Sequence, residues 1–187
     1  MRETRPPDRA ATNKPFVFST LFDGSDVFCQ SIVLSQSLDI SYGGIEVTQG
    51  KSLTCQQTAS TPRIQITGQS DQDNLYSLLM IDRQASRFPG APQETYVHYW
   101  VGNIPGTRFL NGDPFEMYVR PSPHDLIQHT YEFLLYSQQQ PIAGRLPDRF
   151  VLDFDSLVSE NHLTSLVTQT SFVLELHVNP GTGGYSC

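Results

Sequence analysis

Lysine is scarce in this chain of 187 residues, because only Lys14 and Lys51 are present and the remaining basic residues are all arginines. The twelve lysines and arginines are outnumbered by 19 acidic residues, which gives a formal net charge of −7. A chain of this charge is repelled by polyanions unless its basic residues are strongly clustered. The composition therefore disfavours a nucleic-acid partner.

Cysteine is also scarce, and the three cysteines are Cys29, Cys55 and Cys187. None of them forms a CxxC pair or stands beside a histidine pattern, so the sequence predicts neither a zinc site nor another cofactor. Cys29 and Cys55 would be free to pair in an oxidising compartment, which would leave Cys187 unpaired. The sequence leaves the state of these thiols open.

Long apolar runs are missing as well. No stretch of about twenty apolar residues occurs, so we expect no membrane-spanning helix. Residues 1–14 lack the apolar segment of a secretory signal, which indicates a cytosolic protein or one secreted after removal of a leader. We predict a disordered arm over residues 1–14, a single domain over 15–180 and a flexible Gly-rich tail over 181–187.

The sequence does contain the hydrophobic patterning of a folded domain, with 38% hydrophobic and 11% aromatic residues. Side chains alternate with a period of two around Leu38–Tyr42, Arg63–Thr67 and His129–Gln138, which predicts β-strands. Residues 153–163 have approximate helical spacing, and Asp153 is a plausible N-cap. We count six to nine strands and one or two short helices, which predicts a mainly β sandwich.

Two apolar runs between Leu78 and Gly106 each carry one ionisable residue. The first ends at Asp82, a polar loop follows, and the second contains His98. This pattern predicts a strand, a loop and a strand, with a candidate site where the loop begins. His129 also falls in a strand-like segment, with Tyr131 two residues later. For either histidine alone, a buried residue bonded to the backbone is the better interpretation.

These residues resemble the motifs of the phosphatidylethanolamine-binding proteins, a family that includes Raf kinase inhibitor proteins and plant flowering regulators. The family has an Asp-Pro-Asp-Ala-Pro loop, then a strand histidine, then a Gly-x-Pro-Pro loop leading to His-Arg-Tyr. In this chain the first loop motif is matched by Asp82-Arg83-Gln84-Ala85-Ser86, and His98 follows sixteen residues after Asp82. The last motif resembles His129-Thr130-Tyr131. The resemblance spans roughly residues 36–178 and implies the antiparallel β-sandwich of that family, with short peripheral helices.

The chain departs from the family pattern at several positions. Gln84 replaces the second loop acid, Ser86 replaces the loop proline, and Val97 replaces the first of two paired histidines. Arg120-Pro121-Ser122-Pro123 stands where Gly-x-Pro-Pro is expected, and Thr130 replaces the arginine. The inner groups of the pocket are thus retained while its rim is altered.

In the family this pocket receives phosphate or a phospholipid head group. The resemblance therefore implies a small anionic ligand, with both histidines donating hydrogen bonds to it. Arginines at the rim would favour phosphate or carboxylate, although scattered solvated arginines are the simpler interpretation of each one alone. The predicted ligand-binding residues are Asp82, His98, His129, Tyr131, Arg83, Arg87 and Arg120.

An enzyme is the alternative to a binding protein. His98, oriented by Asp82, would act as a general base, with arginines stabilising the developing anion. Some fungal family members assist the dimerisation of maleic-anhydride monomers in the biosynthesis of maleidrides, which are secondary metabolites, and the upstream pattern here resembles fungal members. A regulator that binds a kinase or a transcription factor has no local signature in the sequence. Neither binding nor catalysis calls for a metal ion.

Overall fold

The computed structural model describes residues 36–69, 73–125, 127–144 and 146–175, and these lie within one compact unit, Val33–Cys187. The predicted arm and tail lie outside the described residues, as do Cys29 and Cys187. Cys55 is disulfide-bonded. Within the described ranges, no helix has both the length and the apolar character needed to cross a membrane.

The described residues form ten strands, one α-helix and one 3₁₀ turn, Phe109–Asn111. This confirms the mainly β fold, with more strands than the six to nine predicted. The elements are β1 (Ser37–Tyr42), β2 (Ile45–Glu46), β3 (Lys51–Leu53), β4 (Arg63–Thr67), β5 (Leu75–Ser86), β6 (Gln93–Pro105), β7 (Asp113–Glu116), β8 (Thr130–Gln138), β9 (Phe150–Val151), α1 (Phe154–Glu160) and β10 (Leu163–Leu174).

The strands form two sheets. The smaller sheet has the order β2-β1-β4, and the larger has the order β3-β10-β8-β5-β6-β7, with β9 also paired to β6. All of these pairs are antiparallel except β3 with β10. The tight β1–β2 hairpin depends on Gly43 and Gly44, whose φ angles of 55° and 85° lie where residues with a Cβ are strained.

Apolar side chains cover both faces of the larger sheet. One core packs it against the smaller sheet and contains Ile40 and Tyr42 together with Met80 and Phe133. The second core, on the opposite face, contains Trp100 and packs against α1. Because β5 is central and covered on both sides, its residues 76–82 are buried without alternation, which explains its continuous apolar run.

Two element boundaries differ from the sequence-based expectation. The strand expected to end at Asp82 continues to Ser86, because Ala85 and Ser86 pair with Glu94 and Gln93 of β6 beyond an irregularity in register. The helix begins after Asp153, whose carboxylate accepts from the amide of Ser156 as the predicted N-cap. It ends at Glu160, however, so Leu163 belongs to β10 and not to the helix.

Candidate functional site

A cavity of about 200 Å³ lies at one end of β5, β6 and β8. Its lining includes Asp82, His98, His129 and Tyr131, the four inner residues of the predicted site. The register of the sheet explains why they meet: Asp82 on β5 pairs with Tyr131 of β8 on one side and with Tyr96 of β6 on the other. His98 and His129 are each two residues from these pairing positions, so the three strands bring both histidines to the same cavity.

His129 lies between two carboxylates. Its Nδ1 is 2.5 Å from Oδ2 of Asp82, and its Nε2 is 2.8 Å from Oδ1 of Asp125. Carboxylate oxygens accept hydrogen bonds, so both ring nitrogens donate and the ring is an imidazolium. Burial alone would lower the pKa of His129, but the bonds to Asp82 and Asp125 outweigh burial and raise it.

His98 has a different partner. Its Nδ1 is 2.9 Å from the carbonyl oxygen of Val119, to which it donates. Burial lowers the pKa of His98 to about 4, so the ring is neutral near pH 7. Its Nε2 is therefore a hydrogen-bond acceptor, and the described residues give this nitrogen no partner. This corrects the expectation that both histidines donate to an anion.

The pairing of Asp82 also differs from the catalytic arrangement considered above. The Asp82 carboxylate binds His129, and the backbone of Val119 orients His98. The second oxygen of Asp82, Oδ1, accepts from the amide of Gln84 at 2.8 Å. Asp82 therefore holds His129 in place, and it is not the residue that orients His98.

The structure places Arg83 outside the cavity lining. Its guanidinium lies 3.3 Å from the carboxylate of Glu132 and 4.8 Å from the ring centroid of Phe154. Arg83 leaves β5 on the face that carries α1, because successive residues of a strand point to opposite faces. It therefore does not contribute to the rim as expected.

Arg87 and Arg120 do line the cavity, but their surroundings differ. Arg87 forms ion pairs with Glu94 at 3.0 Å and with Asp148 at 2.6 Å, and these partners raise its pKa. Arg120 has no ion pair with any residue in the described ranges. Arg120 is thus the arginine of this lining that has no ion pair with the described residues.

Three residues absent from the sequence-based prediction lie at this site, because Ser86 and His124 line the cavity and Asp125, which does not line it, contacts His129. Asp125 contacts His129, and His124 approaches the hydroxyl of Ser86 with its Nε2 at 3.3 Å. All three lie in loops or at a strand end, where no periodic pattern identifies them. The spacing of Asp125 and His129 by four residues was visible, but outside a helix it does not predict contact.

Gln84 has a structural role in place of the acid found in the family motif. Its side-chain oxygen accepts from the amide of Thr130 at 2.8 Å, and its Nε2 donates to the carbonyl of Gln128 at 3.2 Å. These bonds join β5 to the residues on both sides of His129. Among the described residues, no group of three or more His, Cys, Asp or Glu side chains is arranged to hold a metal ion.

The two-sheet fold and the cavity at the strand ends define a mainly β protein with a small polar pocket. The family model for phosphatidylethanolamine-binding proteins matches residues 43–173, more than half of the chain. The chain belongs to the phosphatidylethanolamine-binding protein family.

Relatives and solved structures agree with this assignment. The chain is 35% identical over 119 residues to the protein FLOWERING LOCUS T of Arabidopsis thaliana. The aligned residues cover 62% of this chain and 63% of that protein. The chain spans less than two thirds of the length of the curated relatives it matches.

Among solved structures, a phosphatidylethanolamine-binding protein from Plasmodium vivax has a TM-score of 0.59 at 24% identity, covering 76% of this chain and 86% of that one. The carboxypeptidase Y inhibitor, solved in complex with its cognate proteinase, has a TM-score of 0.64 at 21% identity over 76% and 84% of the two chains. At these identities the likeness establishes a shared fold.

Proposed function

We propose that this protein binds a small anionic ligand, such as phosphate, a phosphorylated head group or a carboxylate, in the cavity lined by Asp82, His98, His129 and Tyr131. The observation that carries the proposal is Arg120, which lines this cavity and has no ion pair with the described residues. The other cationic side chains of the site, Arg87 and His129, already contact carboxylates. The ligand's charge would therefore lie against Arg120.

The remaining groups favour a ligand with both acceptors and a donor. Burial raises the pKa of Tyr131, so its hydroxyl keeps its proton near pH 7 and is able to donate to the anion. His98 is neutral and presents Nε2 as an acceptor, so it suits a ligand hydroxyl, an ammonium group or a protonated phosphate oxygen. The favoured class is therefore a small anion that also carries a hydrogen-bond donor.

Isothermal calorimetry with inorganic phosphate, phosphorylethanolamine and succinate would test this proposal. We expect Arg120→Gln to weaken binding about tenfold or more, since a charge-assisted hydrogen bond is worth roughly 1.5–3 kcal/mol. Arg83→Gln is the matched control, because it removes the same charge outside the cavity. His98→Ala and His129→Ala test whether the two histidines that line the cavity contribute to binding. If Arg120→Gln and Arg83→Gln bind these ligands as the wild type does, the proposal fails.

Acid–base catalysis in the same cavity, including the dimerisation of maleic-anhydride monomers, is the second candidate. The observation in its favour is the Asp82–His129 pair, a histidine fixed by a buried carboxylate. Two features rank it below binding: Asp125 occupies Nε2 of His129, and His98, with a pKa of about 4, is a weak base near pH 7.

Mass spectrometry separates the two candidates. The protein is incubated with reactive anhydride monomers and the product is followed against a protein-free reaction. Turnover above the uncatalysed rate that is lost in folded Asp82→Asn would support catalysis. Rates equal to the protein-free reaction would count against catalysis of this dimerisation.

A further inference from the structure

Asp125 places a carboxylate of the chain itself against His129, a residue that lines the cavity. Its Oδ1 lies 2.8 Å from Nε2 of His129, on the side of the ring opposite Asp82. Asp125 lies in the irregular segment between β7 and β8, and its side chain is 24% exposed. The proposed function gives this carboxylate no part.

We propose that Asp125 determines the ligand specificity of the pocket, because its carboxylate occupies the position on His129 that an anionic ligand would otherwise take. This inference rests on the proposed function, since it concerns access of an anion to the same cavity. With Asp125 in place, anions are held by Arg120 at the rim and are excluded from His129. An anion is able to contact His129 only when the carboxylate of Asp125 moves away from Nε2.

The hydrogen-bond inventory of His129 supports this inference. An imidazolium has two donors, and Asp82 accepts from Nδ1, so Nε2 is the one donor that a ligand can use. Asp125 accepts from that donor. His129 is therefore flanked by two carboxylates, and the three groups together have a net charge of −1, which repels an anion that approaches the ring.

The two carboxylates differ in how firmly they are held. Asp82 lies on the central strand β5, its side chain is 3% exposed, and its other oxygen accepts from the amide of Gln84 at 2.8 Å. Asp125 is more exposed, and its additional bond, to the amide of Ile127, is longer at 3.3 Å. Asp125 is therefore the partner of His129 that a ligand is able to displace.

Calorimetric titration with inorganic phosphate tests this inference on wild type, Asp125→Asn and Asp125→Ala. Asp125→Asn removes the charge but keeps an Oδ1 that is able to accept from Nε2 of His129 and from the Ile127 amide, whereas Asp125→Ala removes the acceptor as well. We expect Asp125→Ala to bind phosphate about tenfold more tightly than wild type, which corresponds to one regained charge-assisted hydrogen bond. We expect a smaller gain in Asp125→Asn, which loses the repelling charge but keeps an acceptor for Nε2 of His129. Glu46→Gln on β2 is the control, because it changes the net charge equally and lies outside the cavity lining.

The outcomes separate this inference from the proposed function. Tighter binding in Asp125→Ala with no change in Glu46→Gln supports the inference, and a smaller gain in Asp125→Asn agrees with it. Phosphate binding by the variants without binding by wild type also supports it and overturns the proposed function. Equal binding by wild type and both folded variants overturns the inference alone, and no binding by any of them overturns both. Circular dichroism establishes that each variant is folded.

Discussion

His98 and His129 line the same cavity and are both almost fully buried, at 5% and 2% exposure, yet their pKa values are shifted in opposite directions. His98 contacts a backbone carbonyl, and burial lowers its pKa to about 4. His129 contacts Asp82 and Asp125, which raise its pKa against the effect of burial. Burial is common to both, so the carboxylates decide which ring is charged.

The largest effect on stability is expected from removing the carboxylate of Asp82, which pairs with His129 and not with His98. Asp82→Asn leaves the buried imidazolium of His129 with Asp125 as its remaining counter-charge. We expect a loss of about 3 kcal/mol in the free energy of unfolding, the lower part of the range for breaking a buried ion pair. Urea denaturation near pH 7 measures it, with the exposed Asp155→Asn as control. A loss similar to that of the control would mean that Asp82 does not stabilise a charged ring.

The neutral state of His98 predicts a dependence of stability on acid. The folded pKa of about 4 lies below the unfolded value of about 6.5, so the stabilising contribution is present above pH 6.5 and is lost as the pH falls towards 4. Between about pH 7.5 and about pH 5 we expect the contribution of His98 to the free energy of unfolding to fall by about 2 kcal/mol, measured as the difference between wild type and His98→Gln because His129 contributes with the opposite sign. His98→Gln, which can still donate to Val119, should remove most of this loss. Equal acid sensitivity in His98→Gln and wild type would argue against a neutral buried ring.

His129 predicts an effect with the opposite sign. Its folded pKa is raised, so its contribution is fully present below the unfolded pKa of about 6.5 and is lost as the pH rises through the folded value. We expect wild type to lose stability on this alkaline side and His129→Gln to lose less. NMR titration of the ring protons gives the direct measurement. A midpoint for His129 below that of His98 would reverse the comparison.

The smallest effect on stability is expected at Gln84, whose side chain bonds to the two residues that flank His129. Gln84→Ala removes the acceptor of the Thr130 amide and the donor to the Gln128 carbonyl, so we expect a loss of about 1 kcal/mol in the free energy of unfolding. Gln65→Ala on the exposed side of β4 is the matched control. The NMR midpoint of His129 should shift more than that of His98, and equal shifts would show that Gln84 does not act locally.

The fold and the inner residues of the site follow from features that sequence carries directly. Alternating apolar residues predicted most strands, and the resemblance to the family's motifs grouped Asp82, His98, His129 and Tyr131, which all line the cavity. Asp153 was recognisable as a helix cap because its partner, Ser156, is three residues away. These are local or motif-based signals.

The charges within the site depend on contacts that no pattern records. The partner of His98 is the backbone carbonyl of Val119, which any residue type would supply. Whether an arginine is available depends on acids distant in sequence, and Asp148, which pairs with Arg87, lies far along the chain. The extension of β5 beyond Asp82 likewise results from pairing with β6 across an irregular register. The site residues were predictable from motifs, but their protonation states depend on these long-range contacts and were not predictable.

The parallel pairing of β3 with β10 has a consequence for how the chain acquires its structure. Lys51 is aligned with Phe172, so this edge of the larger sheet joins segments from near the beginning and the end of the described chain. During synthesis on the ribosome, β10 is made long after β3, so β3 cannot pair with it until most of the described residues have been synthesised. Folding dominated by such distant pairings is slow, on the order of milliseconds to seconds. We therefore expect β3 to be among the last strands to join the larger sheet.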